Sequence, residues 1–284
     1  MSEFRWDDSF MKKLAALSAL CLLTALLPAA VPVWGFQKVR GGYREVAVEN
    51  GGVISGVVRW SGPRPVLPPF PVNRDEGVCD RGGSEKKISP RLVIGPGDGV
   101  ANTVVYLSKI AQGKPMGPRG LRRARRWVIR GCEYRPHVLI APVGAYLAML
   151  NEDPVFHNIR MFGAAAYNLP MPEKGTLFVK PLPRAGLITV RSDAGHGWMS
   201  GVIHVAEHPY FAVTDAEGRF SLTEVPPGTY TVMAWHEGWR VKRVIPKGGK
   251  PAFYEFERPV VLSTDVTLPA GGGRKIEFRL LESR

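Results

Sequence analysis

The chain has 284 residues, a formal net charge of +13, 45% hydrophobic residues and 22% charged residues. This composition excludes a largely disordered chain and suffices for one large domain or two modest ones. Its 32 glycines and 25 prolines leave little room for long helices and favour short strands joined by tight turns.

The N-terminal segment predicts export. Two lysines precede an apolar run over residues 14–27, and small residues follow it, which is the pattern of a secretory signal peptide. We assign residues 1–35 to this signal, with Met11 as an alternative start. The run is short for a transmembrane span, and an uncleaved N-terminal anchor is the alternative. The mature chain is therefore expected in the periplasm or outside the cell.

Export determines how the cysteines are interpreted. Cys21 leaves with the signal, so Cys79 and Cys132 remain. An even number of cysteines in an oxidising compartment indicates one disulfide. Two separate buried thiols are the alternative.

Short runs of strand-forming residues follow a leader at residues 36–50. Strands are predicted near 52–60, 100–107, 127–131, 136–141, 145–150, 157–162, 176–180, 187–191 and 200–206. Runs of this length, bounded by Gly, Pro and Asn, are typical of a sandwich or barrel. The segments 61–91 and 111–126 are predicted loops, of which the first holds Cys79 and the second a cluster of arginines.

A second β pattern begins near residue 207. The sequences Asp215-Ala-Glu-Gly218 and Pro226-Pro-Gly228 predict turns between alternating strands. Two more strands are predicted over 260–268 and 274–281.

Two segments carry side chains that suit a soft metal ion. One contains His157, and the other, Ser192–Met199, contains His196 and Met199. Imidazole and thioether groups are ligands that suit copper. The glycines on either side of His196 allow a tight loop that can turn His196 and Met199 toward one ion.

His137 is a further candidate ligand. If the strands on either side of the turn at 142–144 form a hairpin, His137 lies opposite Met149. It then lies at the sheet end where the loop to His157 begins. Three imidazoles and a thioether would meet at one pole of the sheet.

The pattern Asn-x-Asp…His-Asn-Ile, followed by a His-x-x-Met loop between two strands, resembles the cupredoxins, the plastocyanin and azurin family. The resemblance implies a Greek-key β-sandwich over residues 51–206 and a copper site. It matches His157 to the first histidine ligand, His196 to the second and Met199 to the axial methionine. The family's cysteine ligand falls on or near Ser192, so the thiolate of a blue-copper centre is missing there.

The C-terminal sequence resembles a second family. Its Asp-x-x-Gly-x-Phe and Pro-Pro-Gly-x-Tyr turns, which begin at Asp215 and Pro226, match the carboxypeptidase regulatory-like domain. The resemblance implies a transthyretin-like seven-stranded sandwich over residues 207–284, which serves as a non-catalytic accessory module. Together the two resemblances look like exported bacterial proteins of the methylamine-utilisation or plastocyanin-like kind.

The fold prediction is therefore all-β, with a cupredoxin-like Greek-key sandwich followed by a smaller transthyretin-like sandwich. The leading hypothesis is a non-enzymatic, exported, copper-binding protein for electron transfer or copper handling. Its expected metal ligands are His157, His196, Met199 and His137. A structural role for His157, hydrogen-bonded through Asp153, is the alternative to ligation.

Two other functions remain open at this stage. One is a cell-envelope module that binds protein or carbohydrate through the C-terminal sandwich, and the other is a copper-oxidase-like enzyme. The expected partners are a redox protein or an anionic glycan, because the positive charge attracts acidic surfaces. Export argues against nucleic acid, and membrane contact is expected only through an uncleaved N-terminal segment. We interpret His236 and Glu237 as a surface feature at a strand end.

Overall fold

The structure is a computed structural model that describes residues 42–80, 83, 87–117, 120–247 and 250–281. The predicted signal segment lies outside the described residues, and so does the first part of the predicted leader. Within the described ranges, no helix has both the length and the apolar character needed to cross a bilayer.

The described residues form a nearly all-β protein, which confirms the predicted fold class. In chain order the strands are β1 (Arg44–Glu45), β2 (Gly52–Ser61), β3 (Val104–Leu107), β4 (Gln112–Gly113), β5 (Arg125–Ile129), β6 (Tyr134–Arg135), β7 (Val138–Pro142), β8 (Tyr146–Asn151), β9 (His157–Gly163), β10 (Asn168–Met171), β11 (Leu177–Pro181), β12 (Gly186–Arg191), β13 (Ser200–Ala206), β14 (Phe211–Val213), β15 (Arg219–Val225), β16 (Gly228–His236), β17 (Val241–Lys247), β18 (Lys250–Phe256), β19 (Val260–Leu268) and β20 (Gly273–Leu281). Among the residues that the structure describes, the helical elements are one α-helical turn, α1 (Glu76–Cys79), and two 3-10 turns at Pro96–Asp98 and Leu121–Arg123.

Residues 125–206 supply two sheets that share one hydrophobic core. The five-stranded sheet has the order β10-β9-β12-β13-β7, and the four-stranded sheet has the order β11-β8-β5-β6. Side chains alternate between the two faces of a strand, so β8 turns Leu147 and Met149 into the core, where both are fully buried. They belong to one buried cluster with Met161 and Ile188 of the five-stranded sheet.

A second sandwich uses strands from both ends of the described chain. Its sheets have the orders β14-β3-β16-β19 and β15-β2-β20. The strand β2 runs antiparallel to β15 and parallel to β20. Ile54 and Val58 of β2 share a buried cluster with Val232 and Phe278.

This pairing does not follow the linear division expected from the sequence, which placed residues 51–206 in one sandwich and 207–284 in the other. The described part of the chain contributes β2 and β3 to the second sandwich, then forms the first, and returns to the second at β14. The reason is that the alternation of a strand determines its buried face but not its neighbours in a sheet.

The strands on either side of the turn at 142–144 do not form the predicted hairpin. The strand β7 runs parallel to β13 in the five-stranded sheet, whereas β8 pairs with β5 and β11 in the other sheet. The turn is therefore a crossing between the two sheets that share the core. Met149 pairs with residues of β5 and β11 rather than with His137.

The predicted disulfide between Cys79 and Cys132 is confirmed. Both residues are buried in the core of the first sandwich. The bond ties α1, which lies in the predicted loop 61–91, to the turn that follows β5. Residues of that loop thereby come next to the histidine-bearing end of β9.

Candidate metal centre

His157 and His196 lie side by side in the first sandwich. His157 is the first residue of β9, and His196 lies in the loop between β12 and β13. Their ring centroids are 4.7 Å apart, with an angle of 49° between the ring planes. Both side chains are fully buried. The structure therefore brings together the two histidines that the sequence pattern pairs.

A carboxylate holds each imidazole through its Nε2 atom. His157 Nε2 lies 3.1 Å from Asp153 Oδ2, and His196 Nε2 lies 2.8 Å from Asp75 Oδ2. An ionised carboxylate only accepts hydrogen bonds, so Nε2 carries the hydrogen of each neutral ring and Nδ1 carries the lone pair. Within the described part of the chain, neither buried Nδ1 atom has a hydrogen-bond partner. Two lone pairs are thus left free for a metal ion.

Asp153 is itself fixed by the backbone. Its two carboxylate oxygens accept the N–H groups of Gly131 at 2.7 Å and Cys132 at 2.8 Å. Burial opposes ionisation, but the hydrogen bonds from His157 and from these two amides lower the pKa of Asp153. The carboxylate stays charged and keeps His157 in one tautomer. The hydrogen bond expected of a structural histidine is present, but it uses only one of the two ring nitrogens.

Asp75 comes from the predicted loop 61–91, where the sequence drew attention only to Cys79. It occupies the N-cap position of α1 with a left-handed backbone, at a φ of 50°. Burial is the main reason that the pKa of His196 falls to about 4. A positive charge on His157 would act in the same direction, and the hydrogen bond and negative charge of the Asp75 carboxylate oppose it. His196 is therefore neutral near pH 7, the form that binds metals.

The disulfide lies next to both imidazoles. One ring nitrogen of His196 and the sulfur atoms of Cys79 and Cys132 lie within 4.8 Å of one another. The Cys132 sulfur, an Asp153 oxygen and a ring nitrogen of His157 form a second group within the same limit. In a disulfide neither sulfur is a thiolate, which is the form of cysteine that binds metal ions.

His137 lies in a different cluster. Its Nδ1 atom is 3.1 Å from the carbonyl oxygen of Ser200, and its Nε2 atom contacts the carboxylate of Glu237. Both ring nitrogens are therefore engaged away from His157 and His196. The structure does not bring three imidazoles to one pole, because the predicted hairpin about residues 142–144 does not form.

Met199 follows His196 in a tight turn, as the sequence predicted. Its N–H donates to the His196 carbonyl at 3.0 Å, and its buried side chain lines a cavity of about 140 Å³ together with His137 and Trp198. The Trp198 ring lies edge-on to His196, with centroids 5.3 Å apart. The role of Met199 as an axial ligand stays a prediction.

The donor set fits copper held by imidazoles but not a blue-copper centre. Two buried histidines with free Nδ1 atoms and carboxylate-bound Nε2 atoms are a suitable pair of nitrogen ligands. Ser192, at the position of the family's cysteine, is buried and its hydroxyl accepts the Ala194 N–H at 3.2 Å. With the neighbouring cysteines oxidised, the described residues offer no thiolate at this place.

A second buried polar cluster surrounds Glu237, directly after β16. Its Oε2 atom lies 2.7 Å from Arg91 Nη2, and its Oε1 atom contacts His137. Burial opposes ionisation, but the charges of His137 and Arg91 outweigh it and lower the pKa of Glu237. The interpretation of His236 and Glu237 as a surface feature is wrong, since they are only 1% and 2% exposed. His137, directly before β7 of the first sandwich, contacts this strand end.

Comparison with known protein families gives a short match. A family model described as polysaccharide lyase family 4, domain II, matches residues 185–247. The matched range runs from β12 to β17 and so takes strands from both sandwiches. The resemblance of residues 207–284 to the carboxypeptidase regulatory-like domain stays a prediction. No curated protein matches the chain.

Several solved structures are similar over part of the chain. A purple cupredoxin from Nitrosopumilus maritimus is 23% identical, with a TM-score of 0.26 over 29% of this chain and 99% of its own. A reduced amicyanin variant is 24% identical, with a TM-score of 0.27 over 29% of this chain and 82% of its own. A copper-containing nitrite reductase from Thermus scotoductus is 22% identical, with a TM-score of 0.28 over 34% of this chain and 26% of its own. Coverage and TM-scores this low carry no functional conclusion.

Proposed function

We propose that this is an exported, non-enzymatic copper-binding protein that acts in copper handling or electron transfer. The observation that supports it is the pair of free, buried Nδ1 atoms on His157 and His196, whose ring centroids lie 4.7 Å apart. Asp153 and Asp75 orient the rings through Nε2, so the ligands are arranged before a metal ion arrives.

Bound copper would supply one-electron chemistry between its Cu(I) and Cu(II) states. The protein's own residues would bind the metal ion, orient the two imidazole ligands and exclude water from the site. Because its pKa is about 4, His196 needs to lose no proton near pH 7 to offer its lone pair. Trp198 and Met199, both nearly inaccessible, shield the loop side of the pair from solvent. The net charge of +13 would steer an acidic redox partner toward the protein.

Copper loading followed by exhaustive dialysis and elemental analysis tests this proposal. The wild-type protein is expected to retain about one copper ion per chain, and the His157→Ala/His196→Ala variant none. His236→Gln is the matched control, because His236 is also buried with an unpartnered ring nitrogen but lies away from the pair. It should retain copper like the wild type. Wild-type protein that retains no copper would rule out the proposal.

A second candidate function, glycan binding, rests on a different observation. The guanidinium of Arg191 lies 4.9 Å from the ring centroid of Phe162 and 4.3 Å from that of Phe253. The three residues line a cavity of about 320 Å³. Aromatic rings stack on sugars and a guanidinium binds carboxylates, and the family model that covers Arg191 is named for a polysaccharide lyase.

Retention on immobilised polygalacturonate tests glycan binding. We expect the wild type to be retarded and Arg191→Gln to lose most of the retardation. Arg184→Gln, a change at an exposed arginine outside the cavity, controls for the loss of one positive charge. Equal retardation of both variants would show that net charge alone causes the retardation, and this would contradict a glycan site at Arg191.

A further inference from the structure

We infer that the Cys79–Cys132 disulfide is a redox switch whose reduction turns the His157–His196 pair into a thiolate–imidazole site for Cu(I). The inference rests on the proposed function for its two imidazoles. It goes beyond the proposed function in two respects. It adds a cysteine thiolate ligand that the sequence pattern does not contain, and it states that this ligand forms when the disulfide is reduced.

The position of the Cys132 sulfur carries the inference. This sulfur belongs to both groups of potential metal ligands. One group contains Cys79 and His196, and the other contains Asp153 and His157. Sulfur and nitrogen ligands of a four-coordinate ion lie at about 2.3 and 2.0 Å from the metal, so roughly 3.5 Å from one another. Within each group, atoms up to 4.8 Å apart would approach one another by at most about 1.3 Å to share one ion.

The backbone keeps Cys132 in place without the disulfide. Its N–H donates to Asp153 Oδ2 at 2.8 Å, and its carbonyl accepts the indole N–H of Trp198 at 3.1 Å. The same Asp153 carboxylate holds His157. Breaking the S–S bond would therefore leave the Cys132 side chain next to the histidines.

Cys79 is anchored in a corresponding way. Its N–H donates to the Asp75 carbonyl at 2.8 Å within α1, and the side chain of Asp75 holds His196. Each cysteine is thus tied through the backbone to the aspartate that orients one of the two imidazoles. The two halves of the disulfide and the two histidines form one connected group.

The chemistry of the switch balances with a dithiol as reductant. Reduction delivers two electrons and two protons to the disulfide, the S–S bond breaks to give two thiols, and the dithiol becomes a disulfide. Binding of Cu(I) then releases the Cys132 thiol proton to solvent and forms the copper–sulfur bond. Copper keeps its oxidation state, and thiolate with imidazole is a ligand set that suits Cu(I).

Anaerobic titration of the full chain with Cu(I), in competition with a chromophoric Cu(I) chelator, tests the inference. The oxidised protein is compared with protein reduced by a dithiol that is then removed. We expect the reduced protein to show two more free thiols than the oxidised protein, to bind one Cu(I) at least about tenfold more tightly than the oxidised protein, and to gain thiolate-to-copper absorbance in the near ultraviolet. Near-ultraviolet circular dichroism reports whether each form is folded.

Two single variants separate the cysteines. Cys79→Ser should bind Cu(I) tightly without reductant, because Cys132 is then permanently free. Cys132→Ser should bind Cu(I) no more tightly than the oxidised wild type, with or without reductant. Reduced, folded wild type that binds Cu(I) no more tightly than the oxidised form would overturn the inference. Loss of the fold on reduction would also overturn it, because the site needs a folded reduced chain.

The result is distinguishable from failure of the proposed function. Copper retained by the oxidised protein through His157 and His196, with no gain on reduction, supports the proposed function and rejects the switch. Copper bound only after reduction supports the switch and rejects a site made of imidazoles alone.

Discussion

The carboxylate of Glu237, directly after β16, contacts the imidazole of His137, directly before β7, and so links the two sandwiches through a buried polar contact. Arg91 contributes a second contact, with its Nη2 atom 2.7 Å from the other carboxylate oxygen. Glu237 is only 2% exposed. A buried carboxylate between two such partners is expected to be sensitive to any change that removes its charge.

Glu237→Gln is expected to lower the free energy of unfolding by about 3–5 kcal/mol, because it leaves Arg91 buried without its counter-charge. Glu257→Gln is the matched control, since Glu257 is exposed, and should change stability by less than about 0.5 kcal/mol. Urea denaturation followed by tryptophan fluorescence measures both. Equal effects of the two substitutions would show that the buried contact contributes nothing specific.

The carboxylates behind the two histidines should control copper affinity. Asp75→Asn and Asp153→Asn are each expected to weaken copper binding by about 10–100-fold, because an amide no longer fixes the hydrogen on Nε2. Asp98→Asn, at an exposed residue that pairs with Arg64 in the other sandwich, should bind copper like the wild type. Competition titrations with a copper chelator measure the affinities. Unchanged affinity in both site variants would remove the aspartates from the site.

The disulfide should contribute strongly to stability. It closes a segment with a sequence separation of 53 residues, for which the chain-entropy model gives about 4 kcal/mol. Reduction is therefore expected to lower the urea midpoint while leaving a folded protein at low denaturant. Parallel unfolding curves of the oxidised and reduced forms, with thiol counts on the same samples, measure this. Coincident curves would mean that reduction is resisted or that the bond stabilises little.

Acid should destabilise the fold before its carboxylates titrate. Burial lowers the pKa of His208 to about 4 from an ordinary value of 6.5. His208 Nδ1 accepts the Tyr210 N–H at 3.3 Å, while Nε2 donates to the Leu107 carbonyl at 3.0 Å. In the unfolded chain His208 takes up a proton below about pH 6.5, whereas in the folded chain it takes up that proton only near pH 4. The free energy of unfolding should therefore fall as the pH drops through this window.

Burial lowers the pKa of His196 and of His204 to about 4 as well, so the slopes add. His208→Gln is expected to reduce the pH dependence of the urea midpoint between pH 6.5 and 4, and to leave its pH dependence above pH 7 unchanged. A variant with the wild-type slope in the acid window would show that His208 does not titrate differently in the two states.

Local sequence patterns predicted the parts of the site that local geometry determines. The run of strand-forming residues over 157–162 placed His157 at the start of β9, and the glycines around His196 predicted the turn that Met199 closes. The count of cysteines after removal of the signal predicted the disulfide. Each of these inferences needs only a few neighbouring residues or an even number of cysteines.

Long-range pairing is what the sequence did not reveal. Asp75 reaches His196 across a separation of 121 residues, and nothing in its own surroundings marks it as the partner of an imidazole. The partner of β2 and the crossing at 142–144 depend on which sheet edges are free, a property of the whole chain. The antiparallel hairpin of β17 and β18 was missed because lysines and a proline, which are depleted in strands, interrupt the apolar residues of β17.

The Asp-x-x-Gly turn that ends at Gly218 provides the last test. Gly218 has a φ of +75°, and an added Cβ atom would lie 2.2 Å from the Val58 carbonyl oxygen and 2.7 Å from the Val100 backbone nitrogen. Those two backbone atoms are hydrogen-bonded to each other at 2.8 Å, so an alanine must open the contact between β2 and this turn. Gly271 has a similar φ of +65°, but an added Cβ would meet nothing within 4 Å.

Comparing the two alanine variants therefore separates the cost of a left-handed backbone from the cost of steric overlap between the added Cβ atom and the neighbouring backbone. Gly271→Ala should cost about 1–2 kcal/mol, the cost of left-handed backbone for an L-residue. Gly218→Ala should cost at least about 3 kcal/mol, because overpacking adds to the same strain. Urea denaturation of both variants measures the difference. If the two variants are equally stable, the close approach at Gly218 does not constrain the second sandwich, and the turn's glycine would be required for its conformation alone.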